Sequence, residues 1–459
     1  MTLKDEFLDY EPVRRTRSAK VRRFGDEGAP IETAPVPTPA RVQENPLNET
    51  WIHKHGHTLS YAGVFLFTTL VFFRPYEFSP SLRWLSQTPF WVAVATLVVF
   101  AITQLGLENK ITARPREVNL VLLMLLLGIV SVPQALDRVR AWWGFVDFLK
   151  VVLIFIAIIN VVRTEKRLKR LWILVLIATC ILSINAVNDY RLGLLQLGGQ
   201  RIKGSIGGLF DNPNDLALHL VTMFPITLCL SLITRNRIMK IVYLAVAFLI
   251  IGGIVVTFSR GGFLALVATV TVLLWKFVRS SRWLIAPVAA AILALFMVLA
   301  PGGYKDRLST TGDESSLARF DDLKRSLFVA VRHPFLGVGM ENYILFSNSD
   351  KASHNAYTQV ASEIGIPAAV IYILFILAPF KGLRRIEGKA YDVQQQRRFY
   401  YASVALQASL VGYMVASFFA SVAYLWYIYY LVGYAVCLRR IYDFAVERDT
   451  ASASVSNVT

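Results

Sequence analysis

The feature that most constrains this chain is a series of long apolar runs separated by short polar segments. Apolar stretches of about 18 or more residues are typical of membrane-spanning helices. Twelve runs are candidates, of which the first and tenth are short: 58–73, 88–106, 118–134, 142–162, 169–187, 214–234, 238–257, 261–278, 283–300, 366–380, 400–417 and 420–438. We therefore predict an all-α polytopic membrane protein with about twelve transmembrane helices.

Composition and the placement of charge argue against a soluble nucleic-acid-binding protein. The chain is 55% hydrophobic and 17% charged, with a mean hydropathy of +0.49. The net charge of 48 − 31 = +17 would suggest a nucleic-acid partner in a soluble protein. Here the basic residues form short clusters between apolar runs, as membrane orientation requires. Cys180, Cys229 and Cys437 lie within apolar runs without metal-ligand spacing. We therefore expect no nucleic acid, no metal and no cofactor.

The basic residues are divided unevenly between the two sets of loops. With a cytoplasmic N-terminus, five inside loops hold 20 lysines and arginines and the short outside loops hold 8. Because cytoplasmic loops retain the positive charge, both termini are expected to be cytoplasmic. Residues 1–57 are expected to form a disordered, basic and Pro-rich tail, which either contacts anionic lipid headgroups or only fixes topology. Residues 58–438 would then be the membrane domain, followed by a cytoplasmic tail at 439–459.

One segment between the apolar runs is large. Residues 301–365 separate the ninth and tenth runs and fall on the outside. Apolar side chains recur there with a helical period, at Leu317, Phe320, Leu323, Leu327 and Val331. This period predicts an amphipathic helix at 315–332, which either lies against the membrane or caps the bundle.

An arginine and two glycines interrupt the apolar sequence "VVTFSRGGFLALV", residues 255–267. The predicted topology puts Arg260 at the outside end of the seventh span. An arginine at a helix end can extend its guanidinium to lipid headgroups. It can also bind an anionic ligand, and these two interpretations remain open.

The outside loop before the sixth span reads "QRIKGSIGGLFDNPNDLAL", residues 200–218. Asn212 and Pro213 predict a helix N-cap and its first position. Capping does not explain Arg201 and Lys203 beside a run of glycines. Glycines permit close approach of a ligand, and arginine suits a phosphate. Ordinary surface positions are the alternative.

A third outward segment reads "SHNAYTQVASEIGIP", residues 353–367. His354 lies near the start of a predicted helix, where the helix dipole disfavours an added positive charge. A neutral imidazole there can act as a base, and a structural hydrogen bond is the alternative. For His219, inside the sixth run, we expect an interior hydrogen bond. For His333, before Pro334, we expect a helix C-cap role.

Two ionisable residues lie three positions apart within the fourth apolar run. Charges at such depth cost several kcal/mol unless they are paired or face a polar interior. Asp147 and Lys150 are therefore expected to form an ion pair, with a place in the functional site as the alternative.

Four motifs in order resemble the O-antigen ligase and O-antigen polymerase superfamily of bacterial envelope glycan assembly. They are "GLFDNPNDLA", "TFSRGGFLAL", the segment "HPFLGVGMENY" with its upstream arginine, and "HNAYTQVASEIG". The resemblance covers roughly residues 115–435. It implies a multi-helix inner-membrane protein with a large periplasmic loop. It also implies a glycosyltransferase that moves a glycan from undecaprenyl pyrophosphate to an acceptor sugar hydroxyl.

The resemblance also suggests site residues. It implies catalytic roles for His354, Arg260 and Arg201, and a substrate-binding role for Arg319. Asn355 of the "HN" pair and Lys203 complete the expected substrate-binding set.

The chemistry fits these residue types. Displacing a pyrophosphate from a sugar carbon requires stabilisation of negative charge, which arginines supply without a metal. A base must also accept the hydroxyl proton, and direct attack inverts the anomeric centre. Transfer to a lipid A-core acceptor (ligase) is expected ahead of chain extension (polymerase). A twelve-span transporter is the alternative from another class, although transporter sites lie near the midplane.

Overall fold

A computed structural model describes residues 57–78, 80–109, 112–194, 202, 204, 209–210, 212–277, 314–347 and 352–456. These residues form α-helices and 3₁₀ turns and no strand. The α-helices of eight residues or more are α1 Thr58–Phe73, α2 Thr88–Glu108, α3 Arg116–Ser131, α4 Arg138–Val161, α5 Glu165–Arg191, α6 Pro213–Ile233, α7 Arg237–Val256, α8 Arg260–Phe277, α9 Glu314–Arg332, α10 Ala356–Glu363, α11 Ile366–Tyr391, α12 Arg397–Ala416 and α13 Trp426–Ser456. The remaining helical segments are the eight-residue 3₁₀ helix Pro80–Gln87 and the shorter segments Pro75–Phe78, Val132–Gln134, Asn342–Phe346, Gln394–Gln396 and Ser417–Phe419. The predicted all-α class is confirmed.

Ten helical segments in the described part of the chain are long and apolar enough to cross a membrane. They are α1 to α8, α11 and α12, and they correspond to ten of the twelve predicted spans. The chain is therefore a multi-pass membrane protein. The predicted ninth span, 283–300, lies outside the described residues, as do residues 1–56.

The predicted twelfth span is a helix that begins later than expected. Residues 417–419 form a 3₁₀ turn, 420–425 are irregular, and α13 begins at Trp426 rather than at residue 420. Only thirteen residues of α13 precede the charged Arg439, which corresponds to a helical rise of about 20 Å. Tyrosines of α13 such as Tyr429 and Tyr434 are buried by the surrounding helices. Protein contacts therefore replace lipid contacts along much of this helix, which continues to Ser456.

Successive helices run up and down, which gives the bundle two distinct ends. One end holds α9, α10 and the turn 417–425, and we call it the loop end. There the backbone N–H of Asp137 donates to Asn342 Oδ1 over 2.8 Å. The other end holds the first turns of α5 and α12, and we call it the basic end.

Ion pairs between helices stabilise the basic end. Arg439 binds both carboxylate oxygens of buried Glu117, at 2.9 and 3.0 Å. Lys276 Nζ lies 2.6 Å from Glu387 Oε2. A two-pronged arginine–carboxylate contact fixes geometry as well as charge. The contact between Arg439 and Glu117 therefore holds α13 against α3 in one register.

Helix α6 lies at the centre of the bundle. Its apolar stretch is 83% buried inside the protein, whereas the apolar stretch of the segment that contains α2 is 17% buried. Helix α6 packs on α7, α8 and α12. Pro225 interrupts its hydrogen-bond ladder. Three residues earlier, the carbonyl of Thr222 accepts a 2.7 Å hydrogen bond from Ser409 Oγ of α12. Neighbouring helices commonly stabilise the backbone around a membrane proline in this way.

The predicted amphipathic helix 315–332 is observed as α9, Glu314–Arg332. It packs on α10 at the loop end, where Val329 and Ala330 are buried. Its buried face also contains Asp322, whose carbonyl accepts a hydrogen bond from the Tyr343 hydroxyl. Part of the apolar stripe behind the prediction is exposed, at Phe320, Leu327 and Val331. The apolar period therefore identified the helix but not its packed face.

Candidate active site

The SRGG motif, the NPND motif and the turn before α13 are joined by hydrogen bonds at the loop end. Ser259 Oγ caps α8 by accepting the Gly262 N–H over 3.1 Å. The same hydroxyl donates to Asn214 Oδ1 over 2.8 Å. The Asn214 side-chain amide donates to the carbonyl of Phe419 over 3.2 Å. These bonds fix the position at which Arg260 begins α8.

The two glycines after Arg260 are required by packing. A Cβ atom on Gly262 would lie 2.4 Å from the Cβ of Ala217 in α6. On Gly261 it would lie 2.6 Å from the ring of Phe419. Real Cβ atoms do not approach other atoms so closely, so a side chain at either position would push α8 away from its neighbours.

Gly262→Ala should therefore lower the stability of the protein. Overpacking of a close helix contact costs about 1–3 kcal/mol. The matched control is Gly388→Ala in α11, where a Cβ would meet nothing within 4 Å and the alanine should stabilise the helix by up to about 1 kcal/mol. Thermal unfolding in detergent should show shifts of opposite sign. Equal shifts would contradict the packing account.

The NPND motif begins α6 as predicted. Asn212 Oδ1 accepts the backbone N–H of Asn214 over 2.9 Å, with Pro213 at the first helical position. Within the sixth span, His219 Nε2 lies 2.9 Å from Thr179 Oγ1. The interior hydrogen bond expected for this histidine is therefore confirmed.

The histidine motif forms the start of α10. Asn355 caps this helix, since its Oδ1 accepts the backbone N–H groups of Tyr357 and Thr358 over 2.9 and 3.0 Å. His354 precedes the cap with a left-handed backbone, at a φ of +53°. Its N–H donates to Ser421 Oγ over 2.8 Å. A residue other than glycine adopts a left-handed backbone at an energetic cost and keeps it only where its surroundings impose it.

Ser421→Ala should lower the free energy of unfolding by about 0.5–1.5 kcal/mol, because the backbone N–H of His354 loses its hydrogen-bond acceptor. Ser421→Thr retains the hydroxyl and should keep most of this stability. Thermal unfolding of both purified variants in detergent checks the difference. If the alanine and threonine variants lose stability equally, the hydroxyl does not hold the His354 backbone.

The segment "HPFLGVGMENY" is hydrogen-bonded to the last turn of α10. The N–H groups of Val338 and Gly339 donate to the carbonyls of Ser362 and Glu363, each over 2.9 Å. Gly337 has a φ of +63°, and a Cβ there would lie 2.5 Å from the Glu363 carbonyl oxygen. This motif is therefore explained by backbone geometry rather than by contact with a ligand.

Glu363 ends α10 as a buried carboxyl group. Burial raises the pKa of Glu363 to about 8, although backbone N–H groups of Glu341 and Tyr343 favour its ionised form. Burial, with Asp147 nearby, also raises the pKa of Glu341. Burial therefore favours the protonated form of Glu363, which carries no charge.

A cavity of about 250 Å³ opens at the loop end where these segments meet. Arg260 and Arg319 are two positively charged residues that line it, and His354 and Asn355 line it at the start of α10. Asn355 is 2% exposed, and its amide nitrogen has no hydrogen-bond partner among the described residues. The remaining wall is mainly apolar, from Phe320, Leu323, Phe418 and Phe419. Positive charge beside an apolar wall attracts an anion more strongly than it would in open water.

Four of the six predicted site residues therefore line one cavity. The other two, Arg201 and Lys203, lie outside the described residues. The expected pair of Asp147 and Lys150 forms a 2.7 Å ion pair, and neither residue lines this cavity. His333 also lies away from the lining residues, with its ring near Phe346.

Sequence reasoning missed the contribution of the turn between α12 and α13. Phe418 and Phe419 line the cavity, and Ser421 binds the His354 backbone. Their sequence "SFFASVAY" is as apolar as the spans on either side. The serines within it were the one available signal.

The comparison with protein-family models matches residues 245–373 to the family described as O-antigen ligase. The matched segment contains Arg260, Arg319, His354 and Asn355, which are the four cavity residues predicted from the sequence. No curated protein matches the chain. The match agrees with the all-helical, multi-pass architecture. The match at residues 245–373 thus supports the resemblance of this chain to the O-antigen ligase and polymerase superfamily.

Proposed function

We propose that this protein transfers a glycan from undecaprenyl pyrophosphate to an acceptor hydroxyl, and that the loop-end cavity is its active site. The observation that carries the proposal is the convergence of Arg260, Arg319, His354 and Asn355 on one cavity. These residues come from three separate segments, the starts of α8 and α10 and the second turn of α9. Two cations, a histidine and a buried amide donor suit a reaction that releases an anionic group and moves a proton.

The two guanidinium groups would bind the pyrophosphate of the donor. Arginine presents several N–H donors in a fixed plane and binds phosphate oxygens in pairs. Charge stabilisation at the leaving group is commonly the largest catalytic contribution. Arg260 begins a helix fixed by Ser259, so its guanidinium starts from a rigid backbone. Side chains rather than a metal ion would supply the positive charge. We therefore expect glycan transfer to continue when a metal chelator is present in excess.

His354 would act as general base in a single displacement. The acceptor hydroxyl oxygen attacks the anomeric carbon, and the bond from that carbon to the pyrophosphate oxygen breaks. The hydroxyl proton passes to the imidazole of His354, and the lipid pyrophosphate leaves with both electrons of the broken bond. This path inverts the anomeric centre and uses the energy of the activated donor without ATP.

The test is transfer by purified protein from an undecaprenyl-pyrophosphate glycan in detergent or nanodiscs. We propose ligase activity, so the product should be glycan on lipid A-core. Extension of the donor-linked glycan, with the lipid A-core left bare, would instead establish polymerase activity. Absence of both products with an inserted, folded protein would contradict the proposed function.

We also propose that the loop end faces the periplasm and that both termini are cytoplasmic. The 20-to-8 division of basic residues between the inside loops and the short outside loops supports this orientation. A periplasm-dependent reporter fused after residue 340 should be active and one fused after residue 390 should not. Equal activity at both positions would contradict the orientation, whatever the outcome of the transfer assay.

A further inference from the structure

A second cavity, of about 220 Å³, lies at the basic end between α5, α6, α12 and α13. We call it the α5 pocket. Its inner surface is apolar, with Leu168, Leu230, Ile233 and Leu438 among its lining residues. The first turn of α5, the last turn of α6 and the first turn of α12 all reach it. Since these are helix ends, the pocket lies where the membrane meets water.

The rim of the α5 pocket is positively charged. Lys166, Lys169 and Arg398 line it together with one acid, Glu165. Arg398 Nε lies 3.1 Å from Glu165 Oε2, so the pair is neutral and the excess charge of 3 − 1 = +2 belongs to the two lysines. Both lysines are exposed and lie on the first two turns of the 27-residue α5. The positive end of the helix dipole adds to their attraction for an anion.

One residue that lines the pocket carries a buried donor without an acceptor among the described residues. Trp172 lines the pocket and is 3% exposed. Its indole Nε1 is buried and has no hydrogen-bond partner among the described residues. Buried polar groups are nearly always hydrogen-bonded in native proteins. An oxygen atom from a bound molecule would satisfy this donor.

We propose that the α5 pocket binds the headgroup of an anionic phospholipid. The phosphate would contact Lys166 and Lys169, and a phosphate or ester oxygen would accept the Trp172 indole N–H. The glycerol and the first carbons of the acyl chains would cover the apolar surface. Basic pockets between transmembrane helices bind anionic lipid headgroups in this way. A free phosphate shares the anionic chemistry but would leave the apolar surface uncovered. The site is separate from the glycan-transfer cavity.

The experiment measures binding of phosphatidylglycerol and phosphatidylcholine to the purified full-length protein by native mass spectrometry. Lys166→Gln/Lys169→Gln should weaken phosphatidylglycerol binding by about tenfold or more. The control is Arg237→Gln/Lys240→Gln. These two residues have the same spacing at the start of α7, also at the basic end, and do not line the pocket. We expect the control to stay within about twofold of wild type.

Trp172→Phe keeps the ring but removes the N–H group, and should weaken the same binding by about threefold or more. Excess inorganic phosphate should fail to displace the lipid. Equal losses in the two double variants would show diffuse surface attraction and overturn the proposal. Equal affinity for phosphatidylcholine, displacement by phosphate, or unchanged binding in Trp172→Phe would each overturn it as well. None of these outcomes depends on whether the protein transfers glycans.

Discussion

Replacing His354 with alanine is expected to lower the rate of glycan transfer by about 10²–10⁴-fold, which is the usual contribution of a positioned general base. The imidazole is lost, but the Asn355 cap and the hydrogen bond from the residue 354 backbone to Ser421 remain possible. Insertion, thermal stability and donor binding should therefore be close to wild type. The measurement is single-turnover transfer with a saturating lipid-linked donor.

The matched control is His333→Ala, since His333 is at the loop end but does not line the cavity. Its transfer rate should stay within about twofold of wild type. Histidine changes charge between pH 5 and 8, and only the neutral form accepts a proton. The wild-type rate should therefore fall as pH decreases from 8.5 to 5.5, and the residual rate of His354→Ala should lack this fall. A near-normal rate in His354→Ala across that range would leave His354 as a structural residue only.

Arg260→Lys should lower transfer by about tenfold or more, and Arg260→Ala by about 10²–10³-fold. Lysine keeps the positive charge but loses the planar pair of N–H donors that fits phosphate oxygens. The defect should appear mainly in the transfer rate measured with lipid-linked donor, because the contact between Arg260 and the pyrophosphate strengthens as negative charge develops on this leaving group.

Arg138→Lys is the control for that series. Arg138 is also the first residue of a helix at the loop end, yet it does not line the cavity. It should retain at least about half of the wild-type rate. Full activity in Arg260→Ala would exclude Arg260 from the mechanism. Equal losses in the Arg260 and Arg138 variants would indicate a general effect of charge at this end of the bundle.

The sequence predicted the membrane helices well because hydropathy depends on composition alone. Ten predicted spans lie on observed helices, although α11 continues eleven residues beyond the predicted end at residue 380, and α9 differs by one residue at its start. The start of α13 was wrong by six residues. Residues 420–425 are apolar, but burial by protein rather than helix formation accounts for their composition. Hydropathy cannot separate these two causes.

The cavity was partly predictable for a different reason. Arg260 and His354 are polar residues beside apolar spans, so they were visible as exceptions. Their proximity could be inferred only as a shared side of the membrane. The roles of Gly261 and Gly262 depend on Phe419 and Ala217, which are distant in the sequence. Such contacts follow from the packing of α8 against α6, which local patterns do not encode.

The central position of α6 has a consequence for the time at which the protein becomes active during synthesis. Thr222 of α6 accepts its hydrogen bond from Ser409, which is 187 residues later in the chain. At about 5–20 residues per second, translation brings Ser409 to the ribosome roughly 10 to 40 s after Thr222. During that interval α6 lacks its α12 partner and must remain beside earlier helices or the insertion machinery. Phe419 and Ser421 arrive later still. A nascent chain that ends before Phe419 therefore already carries Arg260 and His354 but lacks the contacts from Phe419 and Ser421 at this end of the bundle.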